Sequence, residues 1–551
     1  MAFQTAADIS RDAELTTDVC VVGGGPAGIT LALKLARTTS LKIVLLESGE
    51  TTETDAAREL NEGTNVGLDY YDLTSTRRRM LGGGSHAWAG WCRPMDEIDF
   101  DGRSWVQDTG WPFSYAEMSR YYNEAAGLCQ LESTRWTPDA EVNLPGLYGS
   151  PYVDGDVRIA LWQGSPPTKF GSTYRDELAA AAQITLITDA TAVEILSDDA
   201  GAAAVGVRVA SLSGNEFTVS ARTTVLAAGA LETARLLLAS KTANPRGLAN
   251  ENDVVGRYFM EHPHLVTGRI KLFPPGSSTR PPLPAIDKAF TGARSRLAMQ
   301  RPAGALKAAY TITRQRQKAD GLLNFSTHLQ TVSPVQREES DAYQALKLIV
   351  NNLRSPARLF RQIRSGSLPE GTSGLLGRLV RGTPEIATVL YQEGLRRPRE
   401  LALYTQSEQA PNRESRVTLD EDQRDPLGVP RIRLDWRLSR IDKDSVTRAQ
   451  QIVGTQLEAA GLGRLEPEPA FRNDSPDWGS NLRGGHHHLG TARMSTDPTK
   501  GVVDPDGQAH TVRDLYIADS SVFPSGGYAN PLLTTVAWAL RSADMIAKRY
   551  G

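Results

Sequence analysis

Residues 17–28 read TDVCVVGGGPAG and run into ITLALKLA (29–36) and LKIVLLE (41–47). The first six form a short β-branched run, the pattern of a buried parallel strand. A helix follows the glycines and a second strand ends at Glu47, so the stretch is one complete βαβ unit. Gly23 permits the tight turn, Gly25 lets a pyrophosphate approach the backbone, and Gly28 lets the helix pack close to the strand. The helix N-terminus offers free N–H groups and partial positive charge to phosphates. Glu47, 19 residues beyond Gly28, is placed to accept both hydroxyls of an adenosine ribose. The pattern predicts a dinucleotide site and leaves open whether the dinucleotide is FAD or NAD.

Around this unit the chain is long and ordinary in composition. Its 551 residues are enough for three or four units of roughly 150 residues. Apolar residues make up 40% and charged residues 23%, which is globular usage and excludes a disordered or collagen-like chain. With 61 Lys and Arg against 64 Asp and Glu, the net charge of −3 gives no reason to expect a nucleic acid or an anionic membrane as partner. Three widely spaced cysteines, Cys20, Cys92 and Cys129, cannot make a disulfide framework or a four-thiolate metal site. The first twenty residues lack a basic and apolar leader pattern, and no apolar run reaches the roughly 18 residues of a membrane span. The expected compartment is therefore the cytoplasm.

Further along, residues 112–130, 229–240 and 531–548 read as helices. Residues 184–226 alternate β-branched runs with turn signals, as in an antiparallel meander. Residues 273–300 are rich in Pro, Gly and Ser and read as a loop. Residues 341–399 are helical in pattern, broken by Pro356, Pro369, Pro384 and Pro398. This stretch carries ten basic residues, far more than its acidic ones. It reads as a solvated face, or as a lid or docking face. Residues 484–551 return to Gly-rich turns, two short apolar strands and the last helix.

The motifs GGGPAG with Glu47, RRRMLGGGSHAWAGW (77–91), GWPFSYAEM (110–118), VLAAGALETARLLLAS (225–240), VGRYFMEHP (255–263), EQAPNRESRVTL (408–419), GGHHHLGTARM (484–494) and LYIADSSVFPSGGYANPLLTT (515–535) follow one another from end to end. In this set and order the chain resembles the glucose–methanol–choline (GMC) flavin oxidoreductases, and within them the pyranose oxidases and the bacterial sugar and glycoside 3-oxidases and 3-dehydrogenases. The resemblance implies FAD rather than NAD. It implies an α/β fold with a Rossmann-like FAD-binding domain (1–100, 184–265 and 484–551) and a discontinuous α+β substrate-binding domain on an antiparallel sheet (101–183 and 266–483, including the basic helical insertion 341–399).

Matched onto the motifs, the resemblance gives His487, three residues before Gly490-Thr491, as the catalytic base. Asn530, before Pro531, becomes its partner at the substrate oxygen. A histidine suits the task, because an alcohol becomes a hydride donor only when a base of near-neutral pKa takes its proton. His488 falls beside the base. Three consecutive histidines (486–488) diverge too far to ligate one metal, and no metal is expected. Further cofactor contacts implied are Ser48, Arg78, Gly82, Gly83, Ala87, Trp88, Ala89, Val193, Ala228, Asp519, Asn530, Pro531 and Thr534. Fungal pyranose oxidases carry a flavin-linking histidine in the loop around 80–95. Here Ala87 stands at that position with His86 one residue earlier, so non-covalent FAD is expected. Ala89 replaces a polar residue near the reactive flavin edge, which puts efficient use of oxygen in question. Arg93, Gln330 and Gln406, with His488, are the expected substrate contacts.

The expected reaction is oxidation of a secondary ring hydroxyl of a pyranose sugar or glycoside, C3 ahead of C2. The electrons would pass to O2, giving hydrogen peroxide, or to a quinone-type acceptor. A GMC enzyme for a non-sugar alcohol, and a redox-silent flavin carrier, are the alternatives.

Overall fold

The computed structural model describes residues 3–137, 155–273, 305–331, 400–472, 475 and 477–551. Most of the stretch 273–300 and the whole basic stretch 341–399 lie outside the described residues. The βαβ unit forms as the sequence predicts. Strand Glu14–Val22, helix Pro26–Thr38 and strand Ile43–Leu46 follow in order, with Pro26 in the first helical turn, where its missing N–H costs nothing.

These strands lie at the centre of an eight-stranded sheet. Its path runs Phe3–Thr5, Ile184–Thr188, Ile43–Leu46, Glu14–Val22, Glu216–Leu226, Ala204–Ala210 and Thr191–Ser197, with Leu515–Ile517 paired to Glu216–Leu226. The predicted meander is corrected here. Ile184–Thr188 is a parallel strand between Phe3–Thr5 and Ile43–Leu46, and the antiparallel pairings are those of Ala204–Ala210 with Glu216–Leu226 and with Thr191–Ser197. Its mostly buried pattern suits a strand covered on both faces rather than a half-exposed hairpin arm. Of the two strands expected in 484–551, one forms, Leu515–Ile517. Val503 makes isolated bridges instead.

Register aligns the carboxyl ends of the parallel strands. Val22 pairs with both Leu46 and Leu226, Leu46 with Ile187, and Leu226 with Ile517. The loops that leave these ends therefore gather along one edge, where open α/β sheets bind their ligands. The last helix, Leu532–Tyr550, packs against Pro26–Thr38 and Tyr115–Leu128 and is buried along most of its length.

A second, seven-stranded sheet is antiparallel, in the order Gly463–Pro467, His264–Leu272, Glu400–Ser407, Phe325–Thr331, Leu306–Ile312, Val157–Gly164 and Trp91–Cys92. Strand alternation divides its side chains between two faces. Leu161, Ile159, Tyr310, Phe325, Leu329, Leu401 and Leu403 form one apolar face, packed on Ala449, Ile452, Val453 and Leu457 of helix Arg440–Ala459. The other face carries Trp162, Lys307, His328, Gln330, Tyr404, Gln406 and His264 and looks towards the last Gly-rich loop.

Candidate active site

The edge of the first sheet makes a cradle from backbone. Gly23 has φ +112, and a Cβ there would lie 2.5 Å from the Ala227 carbonyl oxygen. A Cβ on Gly28 would lie 1.9 Å from the Gly23 carbonyl oxygen, so helix and turn are in direct contact. A Cβ on Gly25, Gly84 or Gly229 would meet no heavy atom within 4 Å, so these three face open space. Gly83 lies against Gly25, and the Gly82 N–H donates to the Gly24 carbonyl at 2.7 Å, which joins the loop around 80–90 to the phosphate turn. Gly84, Ala87 and Ala89 are exposed on this loop. The Glu47 oxygens accept from Gly24 N–H at 2.9 Å and Gly49 N–H at 2.8 Å. Each oxygen keeps a second lone pair for a ribose hydroxyl. Burial raises the Glu47 pKa against the lowering effect of those two bonds. An open backbone cradle at a helix N-terminus, with a carboxylate one strand away, fits the adenosine diphosphate part of FAD.

Several other expected cofactor contacts are engaged within the protein. Ser48 Oγ lies 2.7 Å from Thr191 Oγ1 and accepts from Arg79 Nη1 at 2.8 Å. Arg78 lies 3.6 Å from Glu53. Trp88 Nε1 donates to the Thr168 carbonyl at 3.0 Å, and Val193 is a buried strand residue. Asp519 accepts from Gly229 N–H, Thr233 Oγ1 and Ser521 N–H at 2.9, 2.6 and 2.8 Å, so it caps the short turn Ser520–Val522 and ties it to the start of the helix that follows Ala228. Thr534 Oγ1 lies 3.1 Å from Tyr122 OH, and Pro531 caps helix Leu532–Tyr550. His86 Nε2 lies 2.9 Å from the Leu81 carbonyl, so its ring is held by its own loop.

The second half of the site is built from side chains. His487 Nε2 lies 3.1 Å from Asn530 Nδ2, and Asn530 Oδ1 accepts from Trp162 Nε1 at 3.1 Å. On its other side His487 Nδ1 lies 2.9 Å from His262 Nδ1, and His262 Nε2 lies 3.3 Å from the Gly526 carbonyl oxygen. His264 stands edge-on to His487, with ring centroids 5.7 Å apart, and bonds Tyr404 OH at 3.1 Å. The three consecutive rings diverge. His486 stacks on Tyr71, His487 meets His262, and His488 Nε2 lies 2.9 Å from Tyr70 OH.

One carboxylate orders this loop. Glu261 is fully buried and accepts from the N–H groups of His262, Gly485 and His487 at 3.0, 2.9 and 3.0 Å, and from Tyr70 OH. Loss of solvation lowers the histidine pKa values: His262 to about 4, His264 and His488 to about 3, and His487 well down, with its histidine neighbours adding to the effect. Burial thus favours the neutral ring in all four.

The loop bearing Asn530 is fixed from below. Arg93, only 3% exposed, donates to Tyr528 OH at 3.1 Å, to Asp96 at 2.7 Å and to the carbonyls of Trp136 and Leu161. Gln406 Nε2 donates to the Tyr528 carbonyl at 2.5 Å, and Ser525 Oγ to the Asp99 carbonyl at 2.5 Å. Arg93 and His488, expected at the substrate, thus have these protein partners in the structure. Gln406 touches the loop, and Gln330 bonds His328 Nε2 at 3.0 Å. The sequence reading gave no role to Glu261, His262, His264, Trp162, Lys307, His328 or Tyr404. The local signals are the motif VGRYFMEHP, which holds Glu261 and His262, and the pair of histidines that flank Pro263.

Residues 18–251 match the FAD dependent oxidoreductase family and residues 411–539 the C-terminal domain of GMC oxidoreductases. The chain is an FAD-dependent oxidoreductase of the GMC family, acting on CH–OH groups. It is 24% identical to the 2-methyl-1,2-propanediol dehydrogenase of Mycolicibacterium austroafricanum over 97% of this chain and 96% of that one. It is 35% identical to the C-glycoside 3-oxidase of Arthrobacter globiformis over 25% of each. The fold is that of a fungal aryl-alcohol oxidase, with a TM-score of 0.56 at 15% identity, over 98% of this chain and all of the other. The Rossmann-like FAD-binding fold with a substrate-binding region on an antiparallel sheet, expected from the motifs, is present.

Proposed function

We propose that the chain oxidises a secondary ring hydroxyl of a pyranose sugar or glycoside, C3 ahead of C2, to a keto-sugar. O2, giving hydrogen peroxide, or a quinone-type compound takes the electrons. The observation that carries this reading is the wall opposite His487. Lys307, His328, Gln330, Tyr404, Gln406 and His264 come from four neighbouring strands and present hydrogen-bonding groups on one face, beside the ring of Trp162. A molecule with hydroxyls around a ring needs several fixed donors and acceptors of this kind.

His487 Nε2 is the proposed base. A substrate hydroxyl placed between His487 and Asn530 gives its proton to Nε2 and accepts a hydrogen bond from the Asn530 amide. FAD, when bound, supplies the acceptor for the hydride that leaves the carbinol carbon. Non-covalent binding of FAD is supported by Ala87, which has no group to attach, and by the hydrogen bond that holds His86 to Leu81. Among the described residues no helix is long and apolar enough to cross a membrane. We read the enzyme as cytoplasmic, in line with its three buried free thiols.

A relative matched along its whole length is named for a small diol, and this favours a second reading, a non-sugar alcohol as substrate. Anaerobic reduction of the holoenzyme by glucose, glucosides, C-glycosides and short diols, with NMR of the products, separates the two. Bleaching by sugars with a 3-keto product supports the first reading, and bleaching by diols alone removes it. No bleaching by any alcohol would instead indicate a redox-silent flavoprotein.

A further inference from the structure

The hydrogen bonds through His487 form a chain whose two ends have fixed polarity. An indole N–H only donates, so Trp162 makes Asn530 Oδ1 the acceptor and turns the Asn530 amide N–H towards His487 Nε2. Nε2 must then be bare. At the other end a backbone carbonyl only accepts, so His262 Nε2 carries a proton towards Gly526 and its Nδ1 is bare. The 2.9 Å contact between the two Nδ1 atoms then needs the proton on His487. Each end, taken alone, assigns His487 the same tautomer, with the proton on Nδ1 and the lone pair on Nε2.

We propose that His262 is the positioning residue of the base: it holds His487 in the Nδ1–H tautomer, with Nε2 unprotonated and able to accept the substrate proton in place of the Asn530 N–H. The proposal rests on the reading of His487 as the base. A bare imidazole has two tautomers of similar energy, and the wrong one would place a proton where the lone pair is needed. A carboxylate on Nδ1 would also fix the tautomer, but its charge would favour the protonated ring before substrate arrives. Glu261, the carboxylate that orders this loop, accepts instead from the backbone N–H of His487. A neutral imidazole orients the ring without that charge. The other groups facing His487 are His264 across the pocket and His486 and His488 on its own loop, each of which disfavours the charged ring.

The chain has eight histidines, few enough for the test. Holoenzyme labelled with 15N-histidine reports the tautomer of each ring, and His487→Ala assigns the signal. We expect Nε2 of His487 unprotonated in the wild type and a mixture of tautomers in His262→Leu. Flavin reduction in that variant should fall about 10- to 100-fold, by analogy with the loss of groups that orient metal-bound histidines. KM and FAD absorbance should change little. His262→Gln, whose amide can accept from His487 and donate to Gly526, should restore one tautomer and most of the rate. A wild-type His487 protonated on Nε2 overturns the proposal. So does a His262→Leu enzyme with unchanged tautomer and rate. If His262→Leu loses FAD, the wild-type spectrum decides alone. Failure of the base reading looks different: His487→Ala would then still be reduced by substrate, whatever the tautomer.

Discussion

Gly25, Gly84 and Gly229 face open space at one edge of the first sheet, whereas the space around His487 is filled by His262, His264, Asn530 and Trp162. The nucleotide cradle is made by leaving side chains out, and its phosphate turn and carboxylate, Gly23 to Glu47, lie close together in the chain. The histidine pocket is made by bringing side chains in, from strands and loops hundreds of residues apart. The two halves should therefore respond to substitution in different ways. The cradle should respond in folding and FAD binding, the pocket in rate and pH dependence.

The largest effect is expected in the pocket. His487→Ala should reduce the rate of flavin reduction by alcohol about 10²- to 10⁴-fold, the usual contribution of a general base. FAD content, read from the flavin absorbance, should be unchanged. An active His487→Ala protein would remove the base from His487 and break the division between the halves.

Next comes the cradle. Gly28→Ala places a Cβ 1.9 Å from a backbone oxygen that cannot move without opening the turn. Overpacking of this kind should cost about 3 kcal/mol or more and show as loss of folded protein in urea titrations. Unchanged stability would mean that the helix start is not locked to the turn.

The two halves also differ in the sign of their acid response. The His262 pKa falls from its ordinary 6.5 to about 4 in the fold. Below pH 6.5 the unfolded chain therefore binds the proton first. The stability linked to His262 is full above pH 6.5 and falls as pH drops towards 4, by up to about 1.4 kcal/mol per pH unit. Glu47 behaves in the opposite way, because burial raises its pKa and the folded state takes the proton first. Urea midpoints from pH 7 to 4 should fall less steeply for His262→Gln than for the wild type. Parallel curves would mean that His262 is not buried as a neutral ring.

Legibility in the sequence follows the same division. Gly23, Gly25, Gly28 and Glu47 lie within one βαβ unit, where strand register and helix start are local consequences of residue order. The carboxyl edge could be placed before any tertiary contact was known. His262 meets His487 only because the bridge between Met260 and Leu489 draws the two loops together. Trp162 reaches Asn530 only because Val157–Gly164 pairs with Leu306–Ile312 in a register that turns Trp162 away from the apolar face. No local pattern records either pairing, and the family motifs supplied His487 and Asn530 without their partners. The partners of Arg93 are hidden from the sequence for the same reason: Asp96 and Tyr528 meet its donors only once the chain has folded.

Gly25→Ala tests the openness of the cradle. Gly25 has φ −80 and an added Cβ meets nothing within 4 Å, so the apoprotein should keep its Tm. The methyl group would occupy the path of the pyrophosphate, and FAD affinity should fall roughly tenfold or more, about 1.4 kcal/mol. Titration of apoprotein with FAD gives the answer. Unchanged affinity would mean that the dinucleotide does not lie over Gly25.

The smallest effect is the most selective. Trp162 is buried at 1% exposure, faces Lys307 on the neighbouring strand, with Lys307 Nζ 5.3 Å from its ring, and donates its one N–H to Asn530. Trp162→Phe keeps an aromatic ring between the strands and removes that donor. Asn530 Oδ1 then has no fixed partner, and the amide is free to turn its oxygen towards His487. The cost should be about 1 kcal/mol, a roughly fivefold slower flavin reduction, at unchanged FAD affinity. A slower reduction with normal FAD binding would show that the pocket depends on the direction of its hydrogen bonds and not only on its shape. A change in FAD affinity instead would mean that cradle and pocket are coupled through Asn530, and that the boundary between them lies elsewhere.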